Sequence, residues 1–439
     1  MPEAEAPSKL SRELTTFDLT MIVIGSGIFI TPSSIAQVLP SAGLILFVWL
    51  LGGLLALTGA LTYAELGALM PRAGGVYVYL SEAYGGLFGF LYGWANFLVI
   101  NTGALAALAI VYATYFGYLV PLSETAIKLI AIGGIAILTF INYFGVKAGG
   151  IFSDVFTLLK LLGIGGLIVL GFLLGTGRDI QLHPLIPPLD KNLGSALALG
   201  MVGVLWSYGG WQHATFTSGE AKDPTKSLPV AIIAGTAGVV IIYLLANLVY
   251  LYLLPIKTIA SSSRVAATAA EQFLGPAGGT LISLTIFIST FGTSGIYTLS
   301  APRIYYAMAV DGVFFKRAAY VHPKYRTPTF SIIFQSAWAI LLILSGNFLQ
   351  LITYVAFTDW IFFALTAATV IVFRRKHPSL EHPYRTWGYP VTPIFFILVS
   401  SWFVINTLVN SPTQAIAGLG FLALGVPVYY LWKRNAGTH

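Results

Sequence analysis

Met21–Pro32 reads MIVIGSGIFITP. Apolar residues lead into it and out of it, yet Gly25-Ser26-Gly27 sits in the middle. Glycine costs about 1 kcal/mol relative to alanine inside a helix. Within a bilayer, backbone groups freed by a break cost several kcal/mol more unless they meet a partner. Tight packing of helices through small residues accounts for many membrane glycines. A second interruption favours another reading. LWSYGGWQHATFTSGE, Leu205–Glu220, carries Gly209-Gly210 with Ser207, Gln212 and His213 alongside.

Composition sets the medium. Of 439 residues, 57% are hydrophobic and 9% charged, and the mean hydropathy is +0.83. Apolar runs of about 18 residues or more recur along the chain, each long enough to cross a membrane as a helix. The expected class is an all-α polytopic membrane protein of one domain. Twelve spans are expected, at 18–38, 43–70, 86–117, 125–144, 152–175, 194–218, 228–254, 277–306, 329–345, 348–373, 391–410 and 414–432. Residues 262–274 read as a short surface helix. Residues 1–17 are polar, so the first apolar segment reads as a retained signal anchor.

Alternate loops differ in charge. The side holding both termini carries 17 Lys and Arg, from Lys9 and Arg12 to Lys433 and Arg434. The other side carries 5, namely Lys128, Arg178, Lys191, Lys257 and Arg264, and Lys160 inside a span completes the 23. Positive loops stay inside, so both termini are expected in the cytoplasm. The net charge of +7 thus reads as a topology signal, and no nucleic-acid partner is expected. With no cysteine, thiol catalysis, thiolate-held metal and any disulfide are excluded. No HExxH pair, paired intramembrane aspartates or repeated filter loop occurs, which argues against an intramembrane enzyme or a channel. No cofactor or metal is expected.

Spans one and six lie five apart. Interrupted helices at matching places of two five-span halves, 18–175 and 194–373, point to an inverted-repeat transporter with 391–432 added. If span one unwinds at 25–27, a half-helix restarts near Ile28. Its free N–H groups and positive dipole end suit a carboxylate. Carbonyls at the helix ends near Ile24 and Trp206 suit an ammonium. Together they complement an α-amino acid zwitterion. The substrate side chain is then read by spans three, six, eight and ten.

Six stretches carry a resemblance: FDLTMIVIGSGIFITP, YAELGALMPRAGGVYVYLSEAYG, FTLLKLLG, LWSYGGWQHATFTSGEAKDP, YTLSAPRIYYAMAVDG and PYRTWGYP. In this order they resemble the amino acid–polyamine–organocation superfamily, with a LeuT-type fold of five-plus-five inverted repeats and two extra helices. The similarity is closest to its L-type amino-acid transporter branch and bacterial relatives. The family carries another glycine a few residues before GSG; here Met21 to Ile24 lead straight in, and span one reads about a turn short.

The resemblance implies roles. N–H groups of Ser26 and Gly27 hold the substrate carboxylate, and carbonyls of Val23, Trp206 and Gly209 hold its amino group. Ile24, Gly25, Ile28 and Ser207 complete that lining. The Trp206 ring gates the bound substrate, with Tyr208 beside it. Gln212 stands near the pocket. It is not an acid, so neutral amino acids are expected, with cationic amino acids or polyamines as the alternative. Asn101 is a further pocket candidate, although interhelical hydrogen bonding explains it equally well.

Lys160 lies about nine residues into span five, roughly 13 Å deep at 1.5 Å per residue. An ammonium near the middle of a ~30 Å core is expensive and marks function. Sodium-coupled members of this fold bind a cation between spans one, five and eight, and Lys160 matches a lysine that replaces it in the L-type branch. With Ser294 of span eight it implies sodium-independent exchange. Proton symport is the second mode, with Asp359, Glu65 or His213 as carrier; for Glu65 a helix-linking or gate contact is favoured. The resemblance implies a plasma (inner) membrane location and a monomer or homodimer. Animal relatives can be disulfide-linked to an accessory glycoprotein, which a chain without cysteine cannot be.

Overall fold

In the computed structural model the first apolar segment breaks where its glycines fall. Thr15 caps the helix Thr16–Val23, accepting from the Asp18 N–H while the Asp18 carboxylate accepts from the Thr15 N–H. Ile24 turns extended, with φ −82° and ψ 106°. A 3-10 turn follows at Gly27–Phe29, and Pro32 opens the helix Pro32–Val38, where its missing N–H is no loss. The two halves bend by 49°. The first half-helix has 8 residues, in line with the short lead-in. The described residues are 10–436 without 178, 181, 183–187, 190–191 and 346–347; side chains at 348–354, 414, 435 and 436 are also outside them. Lys9, Arg178 and Lys191 of the charge count lie outside the described residues.

Span six breaks likewise. Asn192 caps the helix Leu193–Tyr208 by accepting the Ser195 N–H at 2.9 Å, and the chain resumes as Trp211–Phe216. Gly210 has φ +151°, and a Cβ there would stand 2.6 Å from the Val23 carbonyl oxygen. At Gly27 a Cβ would stand 2.3 Å from Ser207 Cα. These two glycines let the breaks touch, which no larger residue permits.

Among the described residues nine helices are long and apolar enough to cross a membrane, and the bent pair makes a tenth. Two shorter apolar helices, Leu193–Tyr208 and Thr329–Ser345, stand where spans six and nine were expected, and a count of twelve crossings rests on them. Side chains such as Phe140, Leu162, Leu173, Ile241 and Leu398 are more than half exposed on the outer faces, as lipid contact requires. The chain is a multi-pass α-helical membrane protein. Span three is the most enclosed: 83% of its apolar window is buried, against 22% for Glu124–Tyr143 and Ala415–Arg434, so it forms a wall of the central site.

Several elements differ from expectation. Span five begins at Val146, not 152, because the chain turns at Gly145 directly after Glu124–Tyr143. The surface helix and span eight join as Val265–Ser300 through a kink at Gly275-Pro276, and Pro302 starts a separate helix, Pro302–Val310. Span three holds a π-helical turn, Asn96–Ile100, between Gly86–Ala95 and Asn101–Gly117, where Thr102 donates to the Phe97 carbonyl at 2.7 Å.

The packing is paired. Span one lies on span seven and span six on span two; span five lies on span eight and span ten on span three; span one also meets span five and span six meets span ten.

Candidate substrate site between the broken helices

Two cavities meet where the breaks touch. The first is walled by residues 22–27, by Trp206, Ser207, Gly209, Gly210 and His213, and by Leu108, Thr293, Ile296 and Tyr297. The second lies between spans three, six, eight and ten, with Asn101, Gln212 and Asp359 as its side-chain polar groups apart from the rings of Tyr297 and the tryptophans. Trp206, Gly209 and Tyr297 belong to both.

The first cavity is polar because helices end in it. Among the described residues, the N–H groups of Gly25 and Ser26 find no backbone acceptor to donate to. The Ser26 hydroxyl, 2% exposed, likewise has no partner. The carbonyl oxygens of Gly209 and Ser207 approach Gly25, at 3.6 and 3.8 Å from the position of a Cβ there, and that of Val23 faces Gly210. Donors on one side and carbonyl oxygens on the other match the two ends of a zwitterion. The Trp206 carbonyl already accepts the Gly209 N–H at 3.2 Å. Ser207 shares a 2.7 Å hydrogen bond with Thr31 and reaches the Gly203 carbonyl at 2.7 Å, clamping the second half of span one to the first half of span six.

Lys160 is buried behind span one. Its Nζ donates to the Ile24 carbonyl at 2.6 Å and to the Thr293 hydroxyl at 3.3 Å, tying spans one, five and eight together. Thr293, not Ser294, is its span-eight partner. Ser294 donates to the Thr290 carbonyl of its own helix at 2.9 Å, since neighbouring helical positions diverge by about 100°.

The remaining candidates separate. Ile28 is buried and lines a small apolar recess with Lys160 and Tyr243, which adjoins the first cavity at Ile24 and Gly25. Tyr208 lines neither cavity: its ring packs on Trp49 and Tyr243, and its hydroxyl donates to the Trp49 carbonyl at 3.0 Å. Asn101 donates to the Asn96 side chain across the π turn. Gln212 turns its oxygen back to the Gly210 N–H at 2.9 Å. His213 shares a 2.7 Å hydrogen bond between Nδ1 and Ser300, packs edge-on against Tyr297, and leaves Nε2 unpartnered. Asp359 is 8% exposed, and its Oδ1 has no partner. Glu65 lies outside both cavities. It accepts two 2.8 Å hydrogen bonds from Arg374 and one of 2.7 Å from the Thr386 N–H, with His382 Nδ1 at 2.8 Å, and so links span two to span ten and the loop after it.

Two features escaped the sequence reading. Tyr297 walls both cavities, with no local signal to single it out. Glu220 and Arg303 form a fully buried ion pair at 2.6 and 2.9 Å, and Arg303 also donates to the Leu299 carbonyl. The Glu220 carbonyl accepts from the N–H groups of Glu13 and Leu14 at 2.9 Å, and Lys222 N–H returns to Leu14. The chain entering span one is thus fastened to the end of span six, and that end to Arg303.

Comparison with known proteins agrees with this geometry. A profile of the family described as "Amino acid permease" matches residues 14–430. The chain is 33% identical over 432 residues to the serine/threonine exchanger SteT of Bacillus subtilis (strain 168), covering 96% of this chain and 97% of that one. It is 31% identical over 448 residues to the large neutral amino acids transporter small subunit 2 of Mus musculus, covering 98% and 83%. It is 30% identical over 419 residues to the b(0,+)-type amino acid transporter 1 of Homo sapiens, covering 93% and 85%. Two touching helix breaks with unpaired amides and carbonyls, in a chain matched from residue 14 to residue 430, make this protein a member of the amino acid permease family.

Proposed function

We propose that the protein exchanges α-amino acids across the plasma membrane by alternating access, without sodium, with both termini cytoplasmic. The observation that carries the sodium independence is Lys160. Its ammonium holds the Ile24 carbonyl and the Thr293 hydroxyl, two oxygens that could otherwise serve a sodium ion. The zwitterion's carboxylate meets Gly25 and Ser26, its amino group meets carbonyls of Val23, Ser207 and Gly209, and Trp206 closes over it. Exchange is supported by the Bacillus subtilis relative, a serine/threonine exchanger. A twelve-span arrangement of repeats 18–175 and 194–373 plus 391–432 is supported by the pairing of contacts: one on seven mirrors six on two, and five on eight mirrors ten on three.

A second reading, proton symport, is favoured by the unpartnered Asp359 Oδ1 and His213 Nε2. Purified protein in liposomes separates the two. Exchange requires that amino acid loaded inside accelerates uptake of labelled amino acid with no ion gradient imposed. Uptake that depends on an inward proton gradient and ignores the internal amino acid would overturn exchange in favour of symport.

A further inference from the structure

The carboxylate of Asp359 stands apart from the molecule's other buried charges. Lys160, Glu65, Glu220 and Arg303 all have built-in partners. Asp359 is 8% exposed, its Oδ1 has no hydrogen-bond partner, and among the described residues no ion pair includes it. A buried carboxyl oxygen left unanswered at membrane depth is costly and calls for a partner. Asp359 lines the second cavity, which shares Trp206, Gly209 and Tyr297 with the cavity that fits the zwitterion. A substrate held by its α-carbon groups in the first cavity directs its side chain into the second.

We infer that this side-chain subsite selects cationic α-amino acids, and that Asp359 is the residue that pairs with the ammonium or guanidinium at the substrate's tip. The inference rests on the amino-acid transport reading above. The walls support it. Trp206, Tyr297, Trp360 and Phe363 supply ring faces, which suit a methylene stem and attract a cation. The Gln212 oxygen is held by the Gly210 N–H at 2.9 Å, and Asp359 is the only carboxyl group among the described residues that line this cavity. An apolar substrate side chain would fill the same space but leave the carboxylate without a counter-charge. The expectation of neutral substrates was drawn from Gln212; the acid it seemed to lack comes from span ten.

The test is exchange in liposomes at neutral pH, comparing lysine with norleucine and with Nε-acetyl-lysine, its uncharged analogue. Lysine is expected to compete at least about tenfold better than either, as for a desolvated charge pair. In Asp359→Asn the lysine-over-norleucine ratio is expected to fall by about tenfold or more. A second measure, independent of that variant's folding, uses the wild-type protein in detergent: lysine should raise its thermal midpoint more than norleucine does at equal concentration. Three results overturn the inference. Norleucine or acetyl-lysine exchanging as well as lysine rejects it and leaves amino-acid transport intact. An unchanged ratio in Asp359→Asn, with proton-driven uptake lost, makes Asp359 a proton carrier instead. No exchange of any amino acid rejects the transport reading and this inference with it.

Discussion

Two charges lie buried beside the broken helices, and they are treated differently. Lys160 is 3% exposed and has its partners built in: the Ile24 carbonyl at 2.6 Å and the Thr293 hydroxyl at 3.3 Å. Asp359 is 8% exposed and keeps Oδ1 unpaired. The first belongs to the frame that holds span one unwound. The second leaves that oxygen unanswered by the fold, and on the inference above its partner comes with the substrate. A buried charge thus reports its role by whether the fold has already answered it.

The comparison can be broken at its satisfied side first. Removing one partner of the Glu220–Arg303 pair strands a fully buried charge, so Glu220→Gln should lower stability by about 3–5 kcal/mol. A thermal midpoint in detergent equal to wild type would contradict it. Next comes Lys160→Met, which leaves the Ile24 carbonyl and Thr293 without their charged donor. A hydrogen bond to a charged group is worth about 1.5–3 kcal/mol, so the exchange rate should fall roughly 10- to 100-fold, read as initial uptake. A rate within about twofold of wild type would remove Lys160 from the frame. Gly27→Ala forces a methyl group toward Ser207 Cα at 2.3 Å, and overpacking of about 1–3 kcal/mol should depress both stability and exchange. The smallest effects sharpen the assignment within span eight. Thr293→Val should slow exchange about tenfold, for one long hydrogen bond from a charged donor at the low end of about 1.5–3 kcal/mol, whereas Ser294→Ala, bonded only to its own helix, should leave the rate nearly unchanged. The reverse order of those two would restore Ser294 as the partner of Lys160.

The breaks in spans one and six were legible because glycine inside an apolar run carries a steep cost that only a functional or packing role explains. The mid-span position of Lys160 followed from counting residues, although the helix begins six residues earlier than expected and sets Lys160 at the middle of Val146–Leu174. What it touches did not: a boundary uncertain by a residue turns a helix by about 100°, enough to exchange Ser294 for Thr293. Tyr208 was misread for the same reason, since its neighbour Trp206 lines the cavity while Tyr208 faces Trp49. Pairings distant in sequence were harder still. Glu220 and Arg303 each sit in a recognisable stretch, but 83 residues separate them, and nothing local announces that they meet. Asp359 was visible as a mid-span acid. That it shares a cavity with Gln212 depends on how span ten packs across spans three and six, which only the assembled bundle reveals.

The most direct test is amino-acid counterflow into liposomes, measured with sodium and with sodium replaced by choline, for wild type and Lys160→Ala. The expected result is a wild-type rate that is the same in both media and a variant that loses most of its exchange in choline. Wild-type uptake that collapses without sodium, together with a Lys160→Ala rate equal to wild type, would contradict the assignment of Lys160 to the place of the cation.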